Sequence, residues 1–179
     1  PNFPESELFQ FPLSDKEAAM MDEAVRVASE CEAIIAVMGG NELTVREERS
    51  RTSLDLPGRQ TELLMRLNAL GKPIVLVMLD GRAATINYAD RFIPAILHAW
   101  FPGEFCGQAV AETLFGDNNP GGRLAVTFPK SVGQIPFAFP FKPGSNVDNG
   151  TSVWGALYPF GHGLSYTRFK YSDLLCRFS

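Results

Sequence analysis

The stretch that decides the fold runs from Leu97 to Pro129 and reads LHAWFPGEFCGQAVAETLFGDNNPGGRLAVTFP. It begins with a short apolar run that breaks at Pro102-Gly103, as a buried strand does on reaching the edge of its sheet. A segment of small and apolar residues follows at roughly 104–115 and stops at a glycine, which predicts a helix. The turn at Asn119–Gly122 then leads into Leu124–Phe128, which could form a further short strand.

Three apolar runs in the chain have the composition of strands. The segments AIIAVM (33–38) and IVLVML (74–79) are continuous and rich in branched residues, which is typical of strands covered on both faces. The segment AILHAW (95–100) opens the stretch quoted above and is a third candidate strand. The segment Phe169–Asp173, where apolar and polar residues alternate, is a further candidate strand.

Two further segments have apolar residues at helical spacing. The first begins at Ser14, where Glu17 completes a capping box, and continues to Cys31. The second follows Leu54–Pro57 and ends at Gly71. Strands that alternate with helices predict an α/β fold, a three-layer αβα sandwich with a mostly parallel sheet and flavodoxin-like topology. In such a sheet the loops that follow the strands lie at one edge, which we expect to be functional.

Size and composition limit what the chain can do. Its 179 residues suffice for one domain with a sizeable core, and its net charge of −4 includes no basic block. This argues against nucleic-acid binding and against an anionic membrane as partner. No apolar run has the length of a membrane span. The sequence opens PNFPESELFQFP without an initiator Met, and we expect it to be part of a longer protein.

Metal and cofactor sites are not predicted. No His, Cys or Asp arrangement has metal-ligand spacing, and no phosphate-binding glycine loop precedes a lysine. The cysteines Cys31, Cys106 and Cys176 are too scattered for a disulfide framework or a zinc site, so we expect buried free thiols.

The densest polar cluster is the loop at 39–60, GGNELTVREERSRTSLDLPGRQ. It contains Glu42, Glu47 and Glu48 directly after the first predicted strand. Hydrolysis of a glycosidic bond needs one carboxylic acid to protonate the leaving oxygen and a carboxylate on the opposite side of the sugar. A glutamate whose pKa is raised by burial would suit the acid role. From composition alone, a solvated loop with weak surface ion pairs is the more common outcome.

Several ordered motifs resemble the C-terminal α/β domain of the family 3 glycoside hydrolases. They are the W-x-P-G…G-x-A-x-A-x-x-L-F-G pattern at Trp100–Gly116, the N-P-S/G-G-R-L turn at Asn119–Leu124 and the F-G-x-G-L-S-Y-T-x-F closing motif at Phe160–Phe169. The resemblance covers about residues 14–173. It implies a domain that packs against a preceding (β/α)8-type barrel, which carries the nucleophilic aspartate of a retaining glycosidase.

The same resemblance implies a role for one glutamate. The family's loop often ends in E-G-x-D-R before L-x-L-P-G-x-Q, and the matching segments here are 47–51 and 54–60. Placing Arg51 on the motif's arginine puts Glu47 on its glutamate, the general acid/base, with Glu48 and then Glu42 as alternatives. The sequence departs from the motif at Glu48, where Gly is usual, and at Ser50, where Asp is usual.

Other residues near the predicted edge have two interpretations each. Arg46 and Arg51 could orient the acid/base glutamate or contact sugar hydroxyls, and surface pairing is the alternative. Trp100 could stack on a sugar face, with core packing as the alternative. The segment Asp80-Gly81-Arg82 resembles the family's S-G-R/G-P segment, and we expect Gly81 to need a positive φ.

Three residues receive purely structural interpretations. His98 lies in an apolar run and is expected to be a core histidine with satisfied hydrogen bonds. Gly107 and Ala109 fit a helix that is pressed closely on the sheet.

The sequence therefore predicts an N-terminal extended segment at 1–13, the family 3 domain at 14–173 and the start of a following segment at 174–179, with the barrel absent. The implied function is the acid/base half of an exo-acting β-glucosidase or β-xylosidase that acts on a β-linked glycoside, and we expect the chain to be inactive by itself. A non-catalytic carbohydrate-binding or interdomain scaffold module is the alternative. The resemblance favours a periplasmic or secreted location.

Overall fold

The structure is a computed structural model that describes residues 12–48, 50–137 and 153–176. Strands and helices alternate along most of this part of the chain. The helices are α1 (Asp15–Ser29), α2 (Gln60–Asn68), α3 (Asn87–Phe92) and α4 (Cys106–Phe115), followed by a 3-10 turn at Val132–Gln134. The strands are β1 (Ile34–Gly39), β2 (Ile74–Leu79) and β3 (Ala95–His98).

The three strands form one parallel sheet in the order β1-β2-β3. The register pairs Ile34 with Ile74, and Val75 with Ala95. Helices connect successive strands, as parallel pairing requires. The α/β class with a parallel sheet and flanking helices is thereby confirmed.

The main core lies on one face of the sheet. It contains alternate residues of β1 and β2, such as Ala36, Leu76 and Met78, together with Leu64 and Leu67 of α2. Helices α1 and α3 contribute further members of the same cluster. The apolar stripe of α2 therefore packs on the sheet as its helical spacing predicts.

Strand β1 differs from its prediction in one respect. Its continuous apolar run indicates burial on both faces, yet Ile35 is 50% and Val37 58% exposed. These side chains point away from the core cluster, which holds Ile34, Ala36 and Met38. The prediction holds for Leu76 and Val77 of the central strand β2, at 0% and 1% exposure. The difference arises because β1 is an edge strand, and the described residues bury only one of its faces.

The helix boundaries follow the sequence signals closely. Helix α1 begins with the predicted capping box between Ser14 and Glu17. Helix α2 starts three residues after Pro57, and Gly71, at φ 67°, follows its end. Helix α4 ends at Gly116, whose φ of 87° is in the left-handed region that glycine favours. Helix α3 was missed, because six residues are too few to show a helical period.

Two predicted strands are absent from the described residues. In the segment Leu124–Phe128, Phe128 makes only an isolated antiparallel bridge with Tyr158. The segment Phe169–Asp173 has no regular structure, and Tyr171 is 92% exposed. Alternation of apolar and polar residues favours a strand only where a neighbouring backbone can pair with it, and no such pairing is present here.

Two further predictions are wrong: the close packing of Gly107 and Ala109 on the sheet, and the burial of the cysteine thiols. A Cβ at Gly107 would meet no atom within 4 Å, and Ala109 is exposed, so neither residue presses on the sheet. Helix α4 instead buries Thr113. The cysteines are free but not buried, since Cys31 and Cys176 are exposed and Cys106 is half-buried.

The turn at Asn119–Leu124 packs against the closing motif, and the side-chain bonds between them span 46 and 47 positions of the chain. The Asn119 side-chain oxygen accepts from the Tyr166 amide and from the Ser165 hydroxyl, both at 2.9 Å. The Leu124 amide donates to the His162 carbonyl at 2.8 Å. These bonds give both motifs a structural role, because they join segments that are distant in the sequence.

Candidate functional site

The strands end together at one edge of the sheet, here called the carboxyl edge. Gly39 and Gly40 lie at the end of β1, Asp80 follows β2 and Trp100 follows β3. The strand hydrogen bonds continue into these turns, since the Gly40 amide donates to the Leu79 carbonyl at 2.9 Å. The loops of the predicted functional edge therefore start from a rigid sheet.

The loop of residues 40–48, here called the glutamate loop, begins with a compact turn. The Thr44 and Val45 amides donate to the Asn41 carbonyl at 2.9 and 2.8 Å. The Asn41 amide donates to the Thr44 hydroxyl at 2.9 Å, and the Leu43 amide to the Asn41 side chain at 3.0 Å. Asn41 and Thr44 thus satisfy backbone groups that have left the sheet.

The three candidate acids all lie in the glutamate loop. All three are exposed: Glu42, Glu47 and Glu48. The described part of the chain therefore does not bury any of them as a general acid would require. Glu48 has a φ of 62°, in the left-handed region that non-glycine residues seldom adopt. The loop presents carboxylates outward from the carboxyl edge, where a second molecule or domain has access to them.

The two candidate arginines have different environments. Arg46 is exposed in the glutamate loop. Arg51 is half-buried, and its guanidinium donates to the Asp55 carbonyl at 2.5 Å. The Asp55 carboxylate in turn accepts from the Ser53 and Thr85 hydroxyls. Arg51 therefore helps to hold the chain between the glutamate loop and α2.

A side-chain amide joins the start of α2 to the end of β1. Gln60 accepts from the Gly39 amide at 2.8 Å and donates to the Gly39 carbonyl at 2.9 Å. Gly39 has a φ of 134°, and a Cβ there would lie 2.0 Å from the Leu79 carbonyl oxygen. Sequence reasoning assigned no role to Gln60. The signal was the position of Gln60 in the L-x-L-P-G-x-Q motif.

Trp100 packs against the end of the sheet and has a φ of 55°. Its ring centroid lies 4.2 Å from that of His98 and 5.9 Å from that of Phe128. Trp100 is half-buried, so it is not fully enclosed at the carboxyl edge. Packing on the domain and incomplete burial coexist at this residue.

His98 corrects a prediction. Both of its ring nitrogens are buried and have no hydrogen-bond partner among the described residues, so it is not a satisfied core histidine. Desolvation lowers the pKa of His98 to about 4, because burial disfavours the charged imidazolium. The aromatic rings of Trp100 and Phe128 surround it without offering an acceptor.

Asp80 is fully buried at the carboxyl edge. One carboxylate oxygen accepts from the Arg82 amide at 3.1 Å, and the other has no partner among the described residues. Burial raises the pKa of Asp80, while the backbone hydrogen bond from Arg82 and the charge of Arg51 oppose that rise. The sequence alone predicts no role for this aspartate.

Position 81 has no room for a side chain, and this is the reason for glycine there. The prediction that Gly81 needs a positive φ is wrong. Its φ lies outside the left-handed region. A Cβ at this position would lie 2.8 Å from Val45 and 2.8 Å from Phe101. No sequence pattern announces this contact, because Val45 reaches Gly81 only through the folded glutamate loop.

Metal-ion clusters and membrane-spanning helices are both absent from the part of the chain that the structure describes. There, no three or more His, Cys, Asp or Glu side chains are grouped so that they could hold a metal ion. No helix in the same ranges is long and apolar enough to cross a membrane.

Comparison with known families decides the classification. The model of the glycosyl hydrolase family 3 C-terminal domain matches residues 6–166. The chain belongs to this family. The match includes the glutamate loop, the Trp100 turn and the closing motif up to Tyr166, so the resemblance in sequence is confirmed.

The relatives of this family 3 domain are glycoside hydrolases. It is 42% identical over 168 residues to a periplasmic beta-glucosidase from Salmonella typhimurium, covering 87% of this chain and 22% of the relative. It is 41% identical over 154 residues to a beta-xylosidase from Formosa agariphila, covering 83% of this chain and 21% of the relative. The chain therefore spans about a fifth of the length of these relatives.

Solved structures have the same fold. A β-glucosidase from Erythrobacter marinus superposes with a TM-score of 0.80 at 42% identity, covering 86% of this chain and 21% of that one. A β-glucosidase from Listeria innocua in complex with glucose gives a TM-score of 0.76 at 26% identity, covering 89% and 23%. The α/β sandwich of this chain is thus also the fold of about a fifth of each of these two β-glucosidases.

Proposed function

We propose that this chain is the acid/base-bearing C-terminal domain of a retaining, exo-acting β-glycosidase of the β-glucosidase or β-xylosidase type. In this proposal a (β/α)8-type barrel elsewhere in the same polypeptide supplies the nucleophilic aspartate. The observation that carries the proposal is the position of the glutamate loop. It presents exposed carboxylates from the carboxyl edge of a family 3 domain.

The chemistry explains why an exposed loop is suitable. In a retaining glycosidase the acid/base carboxyl lies only about 5–5.5 Å from the nucleophile. A carboxylate contributed by a different domain must therefore project beyond its own domain. Docking of the barrel would also remove water from the glutamate, and burial is the usual way to raise a carboxyl pKa for the acid role.

Glu47 is the proposed acid/base. The family motif has its glutamate followed by glycine, and the residue that follows Glu47 is Glu48, with a φ of 62°. That backbone conformation is the one glycine adopts at least cost. The geometry of Glu48 therefore supports the alignment that places Glu47 on the motif's glutamate. In the first step Glu47 would protonate the leaving oxygen, and in the second it would activate water.

The names of the relatives suggest the proposals for substrate class and location. They comprise β-glucosidases and β-xylosidases, so a β-linked glucoside or xyloside is the proposed substrate class. One relative is named as periplasmic, and we propose a periplasmic or secreted location for this chain. Arg46 and Trp100 are proposed to contact the sugar, because Arg46 is exposed in the glutamate loop and Trp100 is only half-buried at the same edge of the sheet. Arg51 is proposed to orient the loop through its bond to Asp55.

The decisive experiment is Glu47→Gln in the full-length enzyme, assayed on two classes of substrate. Loss of general acid catalysis should lower kcat/KM for a β-glycoside with a poor leaving group by about 10²–10⁴-fold. For an aryl glycoside with a good leaving group, kcat/KM should change by less than about tenfold, because that leaving oxygen needs little protonation. Steady-state kinetics on both substrates measures the difference.

Glu48→Gly is the matched control. It removes the neighbouring carboxylate and places glycine at a left-handed position, so both kcat/KM values should stay near those of the wild type. A large loss in Glu48→Gly with no effect in Glu47→Gln would move the acid/base role to Glu48. Unchanged kinetics for Glu42→Gln, Glu47→Gln and Glu48→Gln alike would favour the non-catalytic carbohydrate-binding or scaffold module.

A further inference from the structure

We propose that Arg82 is a positioning residue that fixes the glutamate loop, and with it Glu47, in the orientation needed for acid/base catalysis. The catalytic part of this inference rests on the proposed function. The structural part, a latch between the turn after β2 and the glutamate loop, does not. The latch consists of Asp80, Gly81 and Arg82 on one side and Gly40, Thr44 and Val45 on the other.

The first component is a hydrogen bond across the carboxyl edge. The Arg82 guanidinium donates to the Thr44 carbonyl at 2.8 Å, and the bond is partly buried. Thr44 closes the turn that starts at Asn41, so this bond ties the middle of the glutamate loop to the turn after β2. A hydrogen bond from a charged donor is stronger than one between neutral groups.

The second component is the buried carboxylate of Asp80, which lies two residues before Arg82. It accepts from the Arg82 amide at 3.1 Å and so sets the direction of the backbone from which the guanidinium reaches Thr44. Asp80 is 0% exposed and has one oxygen without a partner among the described residues. A buried carboxylate is costly, and the nearby positive charges of Arg51 and Arg82 reduce the cost of keeping it ionised.

The third component is the side chain of Val45. One of its methyl groups lies 2.0 Å from where a Cβ at Gly40 would be, and the other lies 2.8 Å from a Cβ at Gly81. Val45 therefore fits between two backbone segments that only glycine permits. Its amide also donates to the Asn41 carbonyl at 2.8 Å, so the residue is fixed by both its backbone and its side chain.

The consequence concerns Glu47, two residues beyond Val45. The latch holds residues 40–45, while residues 46–48 project from it and are exposed. A short segment that leaves a fixed point has few orientations, and catalysis by a positioned acid depends on distances of about 1 Å. Without the Arg82 bond, the loop would sample more conformations, and Glu47 would spend less time in the productive one.

Hydrogen–deuterium exchange tests the latch independently of activity. In Arg82→Ala, exchange of the bonded amides of Asn41, Leu43, Thr44 and Val45 should quicken about tenfold or more, the equivalent of losing one charged hydrogen bond. Arg82→Lys should show a smaller change, because lysine keeps a donor. Arg123→Ala is the matched control, since the Arg123 guanidinium also donates to a backbone carbonyl, that of Gly122, at 2.8 Å. Unchanged exchange of these four amides in Arg82→Ala would overturn the latch.

Kinetics of the full-length enzyme tests the catalytic consequence. Arg82→Ala should lower kcat/KM for substrates with poor leaving groups by about 10- to 100-fold, with little change for activated aryl glycosides and partial rescue in Arg82→Lys. An equal loss on both substrates, or none, would overturn the positioning role even if exchange quickens. If Glu47→Gln itself shows no leaving-group dependence, the proposed function fails, and the exchange result still decides the latch.

Discussion

Single residues at the carboxyl edge have backbone conformations that cost free energy. Glu48 and Trp100 have φ values of 62° and 55°, and for residues other than glycine this region costs roughly 1–2 kcal/mol. Such conformations persist where surrounding contacts determine them, and they are frequent at functional sites. The rings of His98 and Phe128 hold Trp100 in place. Glu48 lies three residues after Val45, whose side chain packs between Gly40 and Gly81.

His98 leads to a prediction about pH. The pKa of His98 in the folded state is about 4, below the ordinary value of 6.5. Between these two pH values the imidazole is therefore protonated in the unfolded chain and neutral in the folded chain. The free energy of unfolding should therefore fall as the pH drops from 6.5 to about 4, by up to about 3 kcal/mol. Urea unfolding across this pH range, for wild type and for His98→Leu, measures it. The wild-type curve should be steeper, and two parallel curves would contradict the prediction.

At the scale of elements, the position of a strand in the sheet decides how deeply its apolar side chains are buried. The strands β1 and β2 are both continuous apolar runs, but Val37 is 58% exposed and its β2 partner Val77 only 1%. The central strand has a neighbour on each side, whereas β1 is an edge strand of the described sheet. An apolar run thus predicts the strand itself well, and its burial only when the neighbours are known.

Helix α1 gives a prediction that belongs to one element. The Ser14 hydroxyl accepts from the Glu17 amide at 3.3 Å, and Glu17 accepts from the Ser14 amide at 3.0 Å. Ser14→Ala should lower the free energy of unfolding by about 1 kcal/mol, because it removes the side-chain acceptor of the Glu17 amide. Ser29→Ala, at the other end of the helix, is the control and should change stability by less than about 0.5 kcal/mol. Equal effects of both substitutions in urea unfolding would contradict the role of the cap.

At the scale of the whole molecule, the proposed mechanism needs two domains. A retaining glycosidase requires two carboxyl groups about 5–5.5 Å apart, and in our proposal the second one belongs to the barrel. We therefore expect the 179-residue chain by itself to hydrolyse aryl β-glycosides no faster than background. Release of the aryl group from activated β-glucosides and β-xylosides measures this. Turnover by the chain that Glu47→Gln abolishes would show that the chain is a complete active site.

Much of the fold was predictable from local patterns. The capping box of α1, the bounds of β2 and the glycine that ends α4 follow from residues adjacent in sequence. The roles of Gly81 and His98 were predicted wrongly. For Gly81 the reason is a contact with Val45, 36 positions earlier, and for His98 it is the absence of a nearby acceptor. Such contacts form only when the chain has folded.

The sequence by itself determined the α/β class, the family and the three glutamates that could act as the acid. Hydrophobic periodicity and motif order are local properties of the sequence, and most elements that they predict are present in the structure. The tertiary structure decided that β1 is exposed on one face, that Asp80 is buried and that Val45 lies between two glycines. These features depend on which segments meet at the carboxyl edge, and burial, desolvation and steric fit arise only where separate segments come into contact.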